Sequence, residues 1–120
     1  MHATEDGEQM IIVNGLKACD TCRKVVRTLS EAGHSVQLRD FREAPPSRAE
    51  ITAWSEKFGA ALLNTRSTTW RGLSVEDRGS DPVDLMVAHP TLIKRPVISG
   101  EGVLLHGWTD ATRSALGLTT

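Results

Sequence analysis

The sequence predicts an α/β fold in which a β-α-β half and a β-β-α half are separated by a helical block. Three observations predict it. A short apolar run, MIIVN at residues 10–14, leads into helical spacing and then into an alternating segment. Capping signals at Ser47 and Asp81 start two helices in the middle of the chain. Two strand-like runs flank the glycines of Gly100-Glu101-Gly102 near the end.

Residues 10–14 are apolar and rich in β-branched side chains, which fits a buried strand. Gly15 is expected to break it. From Asp20 onward, Val25, Val26, Leu29 and Ala32 recur at helical spacing and Gly33 suits a C-cap, so a helix is expected as far as Ala32. Residues 35–41, SVQLRDF, alternate apolar and polar and read as a second strand. A strand, a helix and a strand in that order make a parallel pair with a right-handed crossover.

Ser47 and Glu50 form an S-x-x-E capping box, and Ile51, Trp54 and Phe58 follow on one helical face up to Gly59. Residues 60–63 read as a helical turn, and the Thr/Ser cluster after them as a loop or a short capped helix. Asp81 is a helix N-cap, with Pro82 at the first helical position, where its missing N–H does no harm. Pro90 ends that helix. RPVIS and VLLHGW, about the Gly100-Glu101-Gly102 turn, read as an antiparallel hairpin, and Thr109 caps a closing helix. This is the outline of a thioredoxin-like (glutaredoxin-like) fold. Residues 1–9 are expected to be a flexible leader and 10–120 a single domain carrying a helical insertion at about 47–90.

Composition narrows the function classes. The chain has 120 residues, 39% hydrophobic and 24% charged, with a formal net charge of -1. Bulk charge therefore gives no support to direct nucleic-acid binding. No apolar run is long enough to span a membrane. The first residues, MHATEDGEQ, lack the basic start and apolar stretch of a secretory signal. The expected compartment is the cytoplasm, where thiols are kept reduced and two cysteines are rarely a structural staple. A monomer is the default.

Both cysteines fall in LKACDTCRK, as Cys19 and Cys22. Cys19 lies between the first strand and the first helix, where free N–H groups and the helix dipole favour a thiolate. Lys17, Arg23 and Lys24 add positive charge nearby, and Asp20 opposes them. Cys22 follows three residues later on the same helix face, within reach for a disulfide. Cys19 is expected to be the more exposed and more nucleophilic of the two. Two other readings stay open. A zinc site needs about four ligands, which His34, His89 or His106 would have to complete, and two inert core cysteines are the plainer possibility. A C-x-x-C beside a β-α-β pattern favours a redox pair, with no metal. Arg95-Pro96 stands just before a predicted strand, and a guanidinium there suits a thiolate or an oxyanion.

Three segments resemble the ArsC/Spx group of thioredoxin-fold proteins. GLKACDTCRKV resembles the group's first active-site segment. ALLNTRSTTWRGL is similar to the corresponding segment of the YffB-like ArsC-related proteins, and its Thr65-Arg66-Ser67 is also similar to Spx. HPTLIKRPVI, residues 89–98, resembles the signature ending in an arginine and a cis-proline. The resemblance covers about residues 10–108. It implies that Cys19 is the catalytic cysteine, that Arg95, Arg23 and Arg66 bind the substrate or anion, and that Pro96 is the cis-proline. It implies glutathione as co-substrate with no bound cofactor, glutathione or glutaredoxin as partner, and a small oxyanion or an oxidised thiol as substrate. The chain differs from the arsenate reductases of this group in three ways. Gly15 stands where they carry a histidine, no arginine occurs near Leu105-His106-Gly107, and a second cysteine is present. The paired cysteines are the Spx arrangement, which implies the alternative of a redox-sensing regulator that binds RNA polymerase.

Overall fold

The computed structural model describes residues 10–100 and 102–118. The expected leader at 1–9 and the middle residue of the expected hairpin turn, Glu101, lie outside the described residues. The chain divides into two compact units, one comprising Met1–Glu43 and Arg95–Thr120 and the other Ala44–Lys94.

The first unit holds a thioredoxin-like sheet. β1 (Ile11–Gly15), α1 (Asp20–Glu31) and β2 (Val36–Asp40) form the first half, and β3 (Val97–Gly100), β4 (Val103–His106) and α6 (Asp110–Ala115) the second. The strand order is β2-β1-β3-β4. β1 runs parallel to β2, with Ile11 opposite Val36 and Gly15 opposite Asp40. β3 lies antiparallel to both β1 and β4, with Val13 opposite Ile98 and Ile98 opposite Leu105.

Alternation along β1 explains the core. Successive side chains point to opposite faces of a sheet. Ile11, Val13 and Ile98 share one face with Cys22, Val25 and Leu29 of α1 and with Leu116, and Trp108 and Leu105 pack against this cluster. Asn14 belongs to the other face and is 2% exposed. Its Nδ2 donates to Val97 O at 2.9 Å and to Ser99 Oγ at 3.1 Å. Its Oδ1 accepts from Arg39 Nη1 at 3.0 Å. A buried amide needs such partners, and here they come from β2 and β3 on either side of β1.

Two boundaries differ from the sequence reading. Gly15 does not break β1; it is the last paired residue of the strand. The α1 cap is Ala32, with Gly33 one residue further at φ 96°, the left-handed position that glycine occupies without steric cost.

The second unit is helical. α2 (Arg48–Phe58) carries the full capping box: Ser47 accepts from Glu50 N at 3.1 Å, and Glu50 accepts from Ser47 N at 2.9 Å. Residues Gly59–Leu62 continue as a tight 3-10 turn. The Thr/Ser segment forms a short helix, α3 (Thr68–Arg71), capped by Ser67, and α4 (Val75–Arg78) follows, capped by Ser74. α5 (Pro82–Ala88) starts on Asp81 with Pro82 in its first turn. Pro90 does not merely stop α5, which ends at Ala88; it opens a second 3-10 turn, Pro90–Leu92. A proline suits this place because its missing N–H would be unused there. Ile51, Trp54, Leu62, Leu85, Met86, Leu92 and Ile93 are buried in this unit.

Candidate functional site

The site is built where β1 turns into α1. Cys19 is the residue before the helix, in extended conformation with φ -84° and ψ 119°. Its N–H donates to Leu16 O and its carbonyl accepts from Arg23 N, both at 3.1 Å. Asp40, at the end of β2, clamps the loop: Oδ2 accepts from Lys17 N at 2.8 Å and Oδ1 from Arg42 N at 2.7 Å. These two N–H donors hold the Asp40 carboxyl below its usual range, with burial opposing them and the Lys17 and Arg42 charges adding to them.

Both cysteines are free thiols, Cys19 partly exposed and Cys22 fully buried. Burial disfavours the Cys19 thiolate, but the Cys22 N–H, the Cys22 thiol and the Arg95 guanidinium outweigh it and hold its pKa below the ordinary value. The Cys22 N–H is the donor that an N-cap side chain would engage. The neutral Cys19 thiol makes no regular cap bond, so this donor acts chiefly on the charged form. Cys22 goes the other way. Burial pushes it up to about 11, and the neighbouring Cys19 adds to the rise. One sulfur is thus disposed to be an anion and the other to donate a proton to it.

Arg95 and Pro96 are joined by a cis peptide bond. A carbon placed on Gly15 would lie 3.6 Å from Arg95 Cδ and 2.3 Å from Cys22 Sγ. Gly15, Cys19, Cys22 and Arg95 therefore form one cluster. Gly15 is the residue that sequence reasoning missed. The sequence marks it only as the end of the first strand and as the position of a histidine in related arsenate reductases, whereas its missing side chain makes room for the buried sulfur. The only signal available was a glycine at the end of an otherwise apolar strand, which marks close approach.

Two of the three flanking cations are otherwise engaged. Lys17 pairs with Glu43 at 2.7 Å, and Arg23 pairs with Asp20 one turn away. The charge acting on Cys19 is that of Arg95. Asp20 is exposed and forms the pair with Arg23. Arg66 belongs to the helical unit, where with Asn64, Thr65 and Lys94 it lines a pocket of about 270 Å³. Among the described residues no group of three or more His, Cys, Asp and Glu is placed to hold a metal ion. No helix among those residues is long and apolar enough to cross a membrane.

The ArsC family model matches residues 15–115. A protein of Haemophilus influenzae is 35% identical over 106 residues, covering 84% of this chain and 93% of its own length. An arsenate reductase of Rhizobium meliloti is 29% identical over 87 residues, 68% of this chain and 62% of its own. The global transcriptional regulator Spx of Streptococcus pyogenes is 27% identical over 99 residues, 78% and 74% of the two chains. Among solved structures, a YffB protein superposes with a TM-score of 0.81 at 29% identity, covering 88% of this chain and 97% of its own.

Proposed function

The chain belongs to the ArsC family, and from that premise we propose that it is a thiol-dependent oxidoreductase with Cys19 as its nucleophile. The observation that carries this reading is the placement of Cys19 at the start of α1, with Arg95 and the buried Cys22 beside it; the Cys22 donors and the Arg95 guanidinium lower the Cys19 pKa, while burial raises that of Cys22. A nucleophilic cysteine must be a thiolate at working pH, and a low-pKa thiol beside a guanidinium meets that need.

Cys19 attacks a sulfur of an oxidised substrate, forms a mixed disulfide with it and expels the other sulfur as a thiolate. A second thiol, Cys22 or glutathione, then attacks the Cys19 sulfur and releases the reduced substrate. Resolution by Cys22 leaves a Cys19–Cys22 disulfide that glutathione or a glutaredoxin reduces; resolution by glutathione leaves a Cys19–glutathione disulfide, which a second glutathione or a glutaredoxin cleaves to free Cys19. Arg95 steadies the thiolate and would serve an oxyanion equally well. Oxidised sulfur is favoured over arsenate by one local feature. The space beside Gly15, where arsenate reductases of this group carry a histidine, is taken by Cys22 Sγ. Arg23, Arg66 and Pro96 retain the roles that the resemblance implies, in substrate binding and in shaping the Arg95 loop. The reducing cytoplasm is the setting that this chemistry requires.

The test supplies glutathione, glutaredoxin, NADPH and glutathione reductase, offers arsenate, glutathionylated proteins and small disulfides in turn, and follows NADPH. Turnover on an oxidised sulfur, abolished in Cys19→Ser, is expected. No turnover on any substrate, or turnover unchanged in Cys19→Ser, would refute the reading. The buried thiol within reach of Cys19 also supports a second reading, a redox-sensing regulator of the Spx kind that binds RNA polymerase. Co-purification with polymerase in one redox state only would favour it, and none in either state would remove it.

A further inference from the structure

Beyond Cys19, one face of α1 lines a groove. Arg23, Val26, Arg27 and Ser30 lie four, seven, eight and eleven residues beyond Cys19, the spacing of one helical stripe. Together with Lys17, Glu31 and Leu38 of β2 they line a groove of about 570 Å³. Val26 and Leu38 form an apolar floor packed on the core. The rim is basic, with Lys17, Arg23 and Arg27 exposed. Glu31 stands in the same lining, and Asp20 and Glu43 neutralise part of Arg23 and Lys17. Arg27 makes no ion pair among the described residues. Eleven helical residues advance roughly 16 Å, enough to lie alongside about five residues of extended chain.

We propose that this groove docks an extended acidic segment of a protein partner and so presents the partner's oxidised sulfur to Cys19. The proposal rests on the reading of Cys19 as nucleophile. Charge complementarity names the occupant: Arg27 is exposed and makes no ion pair among the described residues, and the exposed pairs of Lys17 with Glu43 and Arg23 with Asp20 are of the weak kind that an incoming carboxylate can share. The apolar floor argues for a protein segment over glutathione, which has no apolar side chain to set on Val26 and Leu38. Carboxylates of the segment face Arg23 and Arg27, and an apolar side chain covers the floor.

The test uses two peptides of equal length with the same central cysteine, one flanked by glutamate and leucine, the other by lysine and leucine. Each is supplied as its mixed disulfide with thionitrobenzoate. Cys19 attacks the peptide sulfur, an S–S bond forms to the peptide, and thionitrobenzoate leaves as a coloured thiolate. Mass spectrometry locates the adduct. Two exposed ion pairs predict that the acidic peptide reacts about five-fold faster, and the advantage should fade in high salt. In Arg27→Glu the ratio of the two rates should fall to about one or invert, and a ratio is insensitive to any change in the reactivity of Cys19 itself. Equal rates in the wild type, or a preference untouched by Arg27→Glu, would overturn the proposal. A glutathione–thionitrobenzoate disulfide that reacts as fast as the acidic peptide would overturn it too, in favour of a tripeptide site. Failure of every probe to modify Cys19 would remove the nucleophile reading along with it.

Discussion

Replacing Gly15 with alanine should strike the site through a single atom. The new Cβ would sit 2.3 Å from Cys22 Sγ, whereas non-bonded heavy atoms rest at about 3.5–4.0 Å. The sulfur must therefore retreat by roughly 1.2–1.7 Å. It has little room, because Cys22 is fully buried among Ile11, Val13, Val25, Leu29 and Ile98. Overpacking of this kind costs about 1–3 kcal/mol. With a urea slope of about 1–3 kcal/mol/M, a loss of about 2 kcal/mol lowers the unfolding midpoint by roughly 1 M. The Cys22 thiol would also leave its place beside Cys19, so the Cys19 pKa should rise. Cys22→Ala supplies the control, since it removes the sulfur that the new carbon meets. In that background Gly15→Ala should be neutral, or stabilising by about 0.4–1 kcal/mol through the unfolded chain. Urea melts of the four proteins in this cycle give the coupling directly. If Gly15→Ala destabilises equally with and without the Cys22 sulfur, the steric reasoning is wrong.

Alkylation read by mass spectrometry across pH should show Cys19 reacting as a thiolate below the free-thiol value of about 8.5, and Cys22 resisting until about pH 11. In Arg95→Met the Cys19 profile should move to higher pH, because one of the groups that lowers it is gone. Cys22 has its pKa raised on folding, so its contribution to stability is complete below about pH 8.5 and is lost as pH climbs towards about 11. Asp40 has its pKa depressed, so its contribution is present above its ordinary value and disappears as acid titrates the folded carboxyl; acid denaturation of Asp40→Asn should show a weaker dependence at the low end. Ser47→Ala removes the α2 cap and should cost about 0.5–2 kcal/mol in a thermal or urea melt.

Short-range chemistry was the legible part of this chain. The caps at Ser47, Asp81 and Thr109 are local patterns, and each sits at a helix start. The order of strands and helices followed from periodicity, and with it the thioredoxin-like sheet. Position in the chain also indicated which cysteine is the more exposed. What periodicity could not reveal depends on approach between distant residues. Lys17 and Arg23 stand beside Cys19 in sequence, yet both are drawn to carboxylates, while the cation that acts on the thiolate is Arg95, from the far end of the chain. Gly15 looked like punctuation, since a sequence shows the missing side chain and not the sulfur in its place. Asn14 looked like the polar end of an apolar run, and its three-strand contacts had no local signal.

That asparagine has a consequence for the site on the opposite face of the sheet. Strand pairing can in principle slip by one residue, and a slip turns every side chain to the other face. Were β3 to slip along β1, Ile98 would leave the core and the buried Asn14 amide would lose Val97 O and Ser99 Oγ, a loss of about 1–3 kcal/mol for a stranded polar group. Arg95, two residues before Val97, would travel about 3.3 Å with it, further than its hold on the Cys19 sulfur could tolerate. The register of one strand pair, held by the buried Asn14 amide on one face and by Ile98 in the core on the other, thus sets the alignment between a guanidinium and a sulfur that never touch that amide.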